Sequence, residues 1–412
     1  MKIKWKWHAV RELWLPLLLG GVGLVIALGL MGWRLAGLTP NLSEPEIATY
    51  NSADSMSDIL DNTVDGPYKV SVYVVTRIFN NAFGLRLIGA LVGVIAIALF
   101  YLMAQKILTA RNAIIATLLF ATSSIFLHTT RLATPNVMLL ALLALVAVGS
   151  IIRYEKRNGI GWILASIVIA LSLYTPGLFL FIMFGALWQL RRVKTSFSSL
   201  RPDILIICAV IFSVLSVPLI IGLIRDPNVF RQLAGVPESL PTLREFSIRW
   251  LLIPSSLIAV SPKEPVYWLG RQPVLDAFAI AMFLFGLITV GRQYRLDRLI
   301  LFLGVFILSS LWIAFSGNHQ AIILIVPFMY LVIGLGMQEF SERWLSVFPR
   351  NPIARYTGLG VFIVAVALTI NFQTQRYFVA WGNSPETAPA FSHKLSDHSK
   401  PEDSFWYNYL VD

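Results

Sequence analysis

Charged residues are scarce in this 412-residue chain: Asp, Glu, Lys and Arg make up 13% of it, whereas hydrophobic residues make up 57%. Soluble domains average roughly 25% charged and 45–50% apolar residues, so this composition excludes an ordinary soluble domain. Spanning a bilayer takes about 20 apolar residues per helix, and such runs recur along the whole sequence. The chain is therefore predicted to be an all-α polytopic membrane protein.

Cysteine and the common catalytic signatures are also missing. Cys208 is the only cysteine, which excludes a disulfide framework, a thiol pair and a Cys-based metal cluster. The sequence contains no Gly-rich nucleotide motif, no His-Glu-x-x-His and no Gly-x-Ser-x-Gly elbow. Ionisable residues are nearly absent from the centres of the apolar runs, which disfavours an ion-coupled transporter or a proton pump.

About 11 transmembrane helices are predicted. Their ranges are 13–36, 85–105, 111–127, 133–152, 160–173, 177–190, 203–224, 272–290, 299–316, 320–338 and 355–371. The two short segments at 160–190 allow one long span, but Tyr174-Thr175-Pro176-Gly177 predicts a break between them. The basic stretch Met1–Lys6 resembles a signal n-region. Because the apolar run after it is too long for a cleaved signal, an uncleaved first span is predicted.

Basic residues are concentrated on one side of this predicted topology. With the N-terminus inside, the inner segments hold 19 of the 33 Lys and Arg residues but 6 of the 22 Asp and Glu residues. This distribution follows the positive-inside rule, so the net charge of +11 predicts topology and no nucleic-acid partner. The N-terminus is predicted to be cytoplasmic, the C-terminus extracytoplasmic, and the location a bacterial plasma membrane.

The larger connections all lie on the predicted outer side. They are a first loop at 37–84, a second loop at 225–271 and a short tail at 372–412, attached to a transmembrane domain of residues 1–371. In the first loop, apolar residues between 47 and 60 recur at helical spacing and predict one helix lying in the membrane interface. A break at Gly66-Pro67 and a second helix over Tyr68–Asn80 follow.

Glu44 and Glu46 form an acidic pair just outside the first span. Ser43 followed three residues later by Glu46 is typical of a capping box, and Pro45 suits a first helical turn. The alternative is catalysis, in which a partly desolvated carboxylate removes a proton from a hydroxyl or amine nucleophile. A second carboxylate nearby raises the pKa of one of the pair or helps to bind a divalent cation such as Mg²⁺ or Mn²⁺. Spacing alone leaves both roles open.

Basic and imidazole side chains on the outer side offer contacts to a phosphate. Lys69 and Arg131 are either snorkelling interfacial residues or phosphate ligands. His319, in a late outer turn, is either structural or a donor to a phosphate or sugar oxygen. The second loop adds basic residues interleaved with aromatic residues, and those able to hold a phosphate include Arg249 and Arg271.

Several of these segments resemble one known family. Glu44-Pro45-Glu46-Ile47-Ala48-Thr49-Tyr50 is similar to the first-loop signature of the C-type (GT-C) membrane glycosyltransferases, which include the protein O-mannosyltransferases and bacterial aminoarabinose transferases. Gly66-Pro67-Tyr68, Phe83-Gly84-Leu85-Arg86 and Thr130-Arg131-Leu132-Ala133 resemble the family's later motifs in the same order. The family usually has Asp where Glu46 stands, so this chain keeps a carboxylate with a longer reach.

The resemblance implies transfer of a sugar from a polyprenyl-phosphate carrier to an acceptor hydroxyl of a protein, lipid or glycan, with inversion. It implies a hexosyl- or pentosyltransferase acting at the extracytoplasmic face. Glu46 falls on the family's catalytic acidic position, and Glu44 is the second acid. The residues expected to bind the donor phosphate are Lys69, Arg131, Arg249, Arg271 and His319; those expected to position substrate are Tyr50, Tyr68 and His128.

Two other functions fit the same topology. A non-enzymatic flippase for lipid-linked sugars would need polar residues at mid-depth in its spans, and these spans mostly lack them. A degenerate relative acting as a binding subunit would have no need to retain Glu46 and Arg131. Both alternatives are therefore ranked below the transferase.

Overall fold

The structure, a computed structural model, describes residues 21–39, 41–154, 159–293 and 296–395. Within these ranges the regular structure is helical, and the β-structure is a single antiparallel bridge between Leu42 and His393. The all-α polytopic architecture predicted from composition is thus confirmed.

Nineteen α-helices and three other helical segments follow one another along the described chain. The α-helices are α1 Gly21–Gly32, α2 Glu44–Asn51, α3 Met56–Asp61, α4 Gly66–Ile78, α5 Ala82–Ala104, α6 Ala110–Thr122, α7 Ser124–Arg131, α8 Ala141–Tyr154, α9 Gly159–Ser172, α10 Leu178–Trp188, α11 Leu190–Ser198, α12 Pro202–Arg225, α13 Asn228–Ala234, α14 Leu243–Ile258, α15 Ala277–Gln293, α16 Leu296–Ser316, α17 Val326–Val347, α18 Pro352–Gln375 and α19 Thr387–Ala390. Short 3₁₀ helices cover Pro135–Leu140 and His319–Leu324, and a π-helical turn covers Arg376–Trp381.

Five helical stretches are long and apolar enough to cross a membrane: Ala82–Ala104, Pro135–Ile152, Pro202–Arg225, His319–Val347 and Pro352–Trp381. The bent pair α6 and α7 adds a sixth, and the shorter apolar helices are Gly21–Gly32, Gly159–Ser172, Leu178–Trp188, Ala277–Arg292 and Phe302–Ser316. Each of the eleven predicted segments overlaps one of these helices or the bent pair. Residues 13–20 of the first segment lie outside the described ranges.

Helix α17 forms the centre of the bundle. In the apolar window of His319–Val347, 94% of residues are buried, against 17% for the windows of α12 and α18, which therefore face the lipid. Helix α15 packs closely along α17 because glycines lie at the contact: a Cβ on Gly286 would collide with the Val332 carbonyl, and one on Gly336 with the Met282 carbonyl. Small residues permit this approach of two backbones in a membrane.

The loop predicted at 37–84 forms three helices, α2, α3 and α4. The single interfacial helix predicted between 47 and 60 is wrong, because α2 ends at Asn51 and α3 begins at Met56. The Ser52 hydroxyl donates to the Thr49 carbonyl, and the Ser55 hydroxyl accepts from the Asp58 N–H, so serines close one helix and open the next. The predicted break before Tyr68 is confirmed, with α4 beginning at Gly66.

A bend of 59° separates α6 from α7 at Ser123. The hydroxyls of Thr122 and Ser123 donate to the carbonyls of Leu118 and Phe120, which competes with the helical ladder. The predicted third span ends at residue 127, but α7 continues through Arg131 and is buried along its whole length. The residues of α7 are therefore more deeply buried in the helical bundle than the sequence suggests.

The last span also continues further than the sequence predicts. Helix α18 passes into the π-helical turn and ends at Trp381 rather than near residue 371. Tyr377 and Trp381 are buried against the ring of His128, with centroid distances of 4.8 and 4.5 Å. Of the predicted tail, residues 396–412 lie outside the described ranges.

Candidate functional site

The side chain of Glu46 is fully buried. Oε1 accepts from Arg86 Nε at 2.7 Å and from the Ala133 N–H at 3.1 Å. Oε2 accepts from Arg86 Nη2, the Ser43 N–H and the Ser43 hydroxyl, each at 3.0 Å. The carboxylate therefore joins the start of α2, the start of α5 and the end of α7, and its acceptor positions are filled by protein donors.

The charge state of Glu46 follows from these contacts. Burial alone would raise the pKa of Glu46, but the adjacent Arg86 charge and the hydrogen bonds from Arg86, Ser43 and Ala133 outweigh it, so the pKa is lowered. The capping-box contact predicted from sequence, from the Ser43 N–H to Glu46, is present. The predicted catalytic role of Glu46 stays a prediction.

Arg131, a predicted phosphate ligand, binds backbone instead. Nη1 donates to the carbonyls of Leu30 at 2.6 Å and Met31 at 2.7 Å, and Nη2 donates to the carbonyl of Trp33. Its guanidinium also lies 4.8 Å from the centroid of the Phe378 ring. Arg131 thus satisfies the free carbonyls at the end of α1, a position that favours a cation.

Two other predicted phosphate ligands come together across the bundle. Arg249 of α14 packs against the turn at Gly317, where a Cβ would lie 3.0 Å from its Nη1. His319 follows in the same turn, within electrostatic reach of Arg249 and Glu264. Both Arg249 and His319 are partly exposed, so their side chains remain accessible to a ligand.

A second carboxylate lies near the first, at the turn before α4. We call Thr63, Asp65, Tyr68 and Lys69 the Asp65 cluster. Asp65 Oδ1, the Tyr68 hydroxyl and Thr63 Oγ1 are buried without a hydrogen-bond partner. Burial raises the pKa of Asp65 to about 7, against the opposing charge of Lys69, while burial lowers the pKa of Lys69, whose Nζ donates to the Asn62 carbonyl at 3.0 Å.

The remaining predicted site residues are dispersed. Glu44 and Arg271 are exposed, and Tyr50 of α2 is buried. His128 is buried within α7, and its Nδ1 has no hydrogen-bond partner. Burial raises the pKa of Tyr68, and the charges of Glu46 and then Asp65 raise it further. Among the predicted positioning residues, Tyr68 therefore lies within electrostatic reach of both acidic groups.

Two residues of this region were not singled out as site residues from sequence. Asp65 carries no motif beyond preceding Gly66-Pro67, and a strained, buried conformation leaves no trace in composition. Arg86 was part of a matched motif, and its position one turn into a span was the available signal, since a cation there needs a buried partner.

A metal site was tested on the same residues. Within the described ranges, no three His, Cys, Asp or Glu side chains group so that they would hold a metal ion. Glu44 and Glu46 do not share a site, because one is exposed and the other is enclosed by Arg86, Ser43 and Ala133.

Comparison with known proteins bears on the whole arrangement. The family model described as dolichyl-phosphate-mannose-protein mannosyltransferase matches residues 71–221. The crystal structure of ArnT from Cupriavidus metallidurans bound to undecaprenyl phosphate is similar over 92% of this chain and 77% of that chain, with a TM-score of 0.50 and 14% identity. The apo structure of the same protein is similar over 93% of this chain and 77% of that chain, with a TM-score of 0.51 and 12% identity. The chain has the C-type glycosyltransferase fold.

This result confirms the resemblance to the C-type glycosyltransferases stated from sequence. No curated protein sequence gives a significant match. The part that matches the mannosyltransferase family model includes Arg86 and Arg131 but begins after Glu46 and Asp65. The family match therefore does not cover the carboxylates of the first loop.

Proposed function

We propose that this protein transfers a sugar from a polyprenyl-phosphate carrier to an acceptor hydroxyl at the extracytoplasmic membrane face. The observation that carries the proposal is the agreement of two comparisons on one kind of carrier. The matching family is described by dolichyl-phosphate-mannose, and a structure with the same fold is bound to undecaprenyl phosphate. Both carriers are long polyprenyl chains that end in a phosphate.

The reaction is an inverting displacement. The acceptor oxygen attacks the anomeric carbon from the face opposite the phosphate, the bond from this carbon to the phosphate oxygen breaks, and polyprenyl phosphate leaves with the bonding electrons. The acceptor proton passes to a carboxylate of the first loop. Because phosphate is a good leaving group, the site has to stabilise its developing charge more than it has to protonate it.

Arg249 and His319 are placed to stabilise that charge. They meet at one outer turn and are partly exposed; Arg249 comes from α14 within the second loop, and His319 begins a later 3₁₀ helix. A guanidinium presents a planar fork of donors to phosphate oxygens. Arg131 would act indirectly in this scheme, since its guanidinium fixes the end of α1.

The decisive experiment uses the purified protein in proteoliposomes with polyprenyl phosphates carrying a labelled hexose or pentose. Peptides, membrane lipids and glycans are offered as acceptors, and free polyprenyl phosphate and labelled product are measured. We expect acceptor-dependent release of polyprenyl phosphate, with an anomeric configuration by NMR opposite to that of the donor. If the carrier changes leaflet with its sugar attached and no polyprenyl phosphate appears, the protein is a transporter.

A further inference from the structure

The backbone of Asp65 is held in a conformation that residues other than glycine adopt uncommonly. Its φ of 56° and ψ of 24° lie in the left-handed region, and within the described ranges only Arg34 is a second non-glycine residue with positive φ. Such strain costs on the order of 1–2 kcal/mol and is found most often at functional sites. The Asp65 side chain does not cap α4, so capping does not explain the strain.

Contacts on both sides keep this conformation in place. The Asp65 N–H donates to the Tyr174 carbonyl at 2.9 Å, and the Asp65 carbonyl accepts from the Lys69 N–H at 3.0 Å. The next residue, Gly66, lies against the Tyr174 ring, where a Cβ would come within 3.1 Å. The turn between α9 and α10 therefore holds the backbone of Asp65 in place.

The Asp65 carboxylate has a buried oxygen without a hydrogen-bond partner, and two nearby positions in the sequence share this property. Asp65 Oδ1, Thr63 Oγ1 and the Tyr68 hydroxyl are all buried and lack hydrogen-bond partners. Buried polar atoms are nearly always paired, and an unpaired one costs about 1–3 kcal/mol. A bound hydroxyl compound would satisfy Asp65 Oδ1 and the Tyr68 hydroxyl, whereas Thr63 Oγ1 lies against Gly222 of α12.

The two carboxylates of the first loop differ in their capacity to accept a proton. Glu46 already accepts from Arg86, Ser43 and Ala133, which lower its pKa. Asp65 has a free oxygen, and burial raises its pKa to about 7, with Lys69 opposing. A general base works best when its pKa lies near the operating pH.

We propose that Asp65 is the proton acceptor of the transfer reaction and that the Asp65 cluster binds the acceptor hydroxyl. This inference rests on the proposed function. As the acceptor oxygen bonds to the anomeric carbon and the sugar–phosphate bond breaks, the hydroxyl proton moves to Asp65 Oδ1. Tyr68 orients the acceptor oxygen, and Glu46 acts as a positioning residue that holds α2 against α5. Solvent then removes the proton from Asp65.

The test compares Asp65→Asn and Asp65→Gly with wild type in the proteoliposome assay. Glycine keeps the left-handed turn without strain, so Asp65→Gly folds even if the Asn variant does not. We expect kcat to fall at least about 100-fold in both, as for loss of a general base, with the donor KM within threefold of wild type. The control is Asp58→Asn, an exposed acid of α3, which should keep wild-type kcat.

The pH profile separates Asp65 from Glu46. The titratable groups facing Asp65 are Lys69 and Tyr68 of α4 and Tyr174 of the neighbouring turn. In wild type, kcat should rise as pH increases through about 7, because only ionised Asp65 accepts a proton.

Glu46→Gln should keep this rise of kcat with pH, and the Asp65 variants should lose it. Wild-type kcat in a folded Asp65 variant, or loss of this rise in Glu46→Gln, would overturn the assignment. A wild type that releases no polyprenyl phosphate would instead reject the proposed function.

Discussion

At the scale of single residues, Glu46 and Asp65 show how one loop gives two carboxylates opposite properties. Glu46 is enclosed by Arg86 and two backbone N–H groups, which favour its ionised form. Asp65 is enclosed without a donor on Oδ1, which favours its protonated form. Pairs of acids whose environments separate their pKa values are typical of acid–base sites.

Replacing Glu46 should lower stability more than replacing any exposed acid of the loop. In Glu46→Gln, Arg86 stays charged and buried without its counterion, and breaking a buried pair in this way costs about 3–5 kcal/mol. Thermal unfolding in detergent, followed by tryptophan fluorescence, measures the loss. The matched control is Glu44→Gln, two residues away and exposed. Equal melting temperatures for the two variants would mean that the ion pair adds no stability.

Acid should weaken the fold through the same pair. The folded-state pKa of Glu46 is lowered from 4.5, so its contribution to folding stability is complete above the unfolded value and is lost as pH falls towards the lowered pKa.

Asp65 acts in the opposite sense: its pKa is raised from 3.8 to about 7, so its contribution to folding stability is present below 3.8 and is lost as pH rises through about 7. Melting curves of Asp65→Asn should therefore match or exceed wild type at pH 8. A variant that melts well below wild type there would contradict this reading.

Arg249 should affect the chemistry rather than the fold. We expect Arg249→Ala to lower kcat/KM for the donor 10- to 100-fold, which corresponds to about 1.4–2.7 kcal/mol of transition-state stabilisation. Arg244→Ala, an exposed residue on the same helix, is the matched control and should behave as wild type. Equal activity of the two variants would remove Arg249 from the phosphate site.

At the scale of helices, the α15–α17 contact depends on the absence of side chains at two glycines. A methyl group at Gly286 would meet the Val332 carbonyl, whereas nothing lies within 4 Å of a Cβ at Gly291 in the same helix. Gly286→Ala should therefore destabilise by about 1–3 kcal/mol through overpacking. Gly291→Ala should stabilise by up to about 1 kcal/mol through helix propensity.

Melting temperatures of these two alanine variants test the packing of α15. Because both carry the same substitution in one helix, any difference in propensity cancels and the remaining difference reports the contact with α17. If Gly286→Ala melts at or above Gly291→Ala, the two helices do not approach as closely as their glycines indicate.

At the scale of the whole molecule, the distribution of basic residues predicts which face is extracytoplasmic. Ser57 of α3 and Ser198 of α11 are exposed and lie on opposite predicted sides. In a Cys208→Ser background, Ser57→Cys should react with a membrane-impermeant maleimide on intact cells. Ser198→Cys should react only after permeabilisation. The reverse pattern would invert the topology and place the Asp65 cluster in the cytoplasm.

The sequence by itself determined the number and order of the apolar helices. Each span is a local run of apolar residues whose backbone must be satisfied within the helix, so the eleven predicted segments overlap the apolar helices of the structure. The acidic segment at Glu46 and the motif ending at Arg86 were visible in the same way. Their charges also indicated that they needed partners, because an uncompensated charge in this setting is costly.

Only the tertiary structure decided what those residues do. Arg86 meets Glu46 across 40 positions of sequence, and Arg131 binds carbonyls about 100 positions earlier. No local pattern records such distances. Asp65 is marked by a positive φ and an unpaired oxygen, which depend on Tyr174 from another helix pair. Hydropathy is a property of neighbouring residues and can be read along the chain, whereas the protonation and pairing of a carboxylate depend on donors that folding brings from elsewhere.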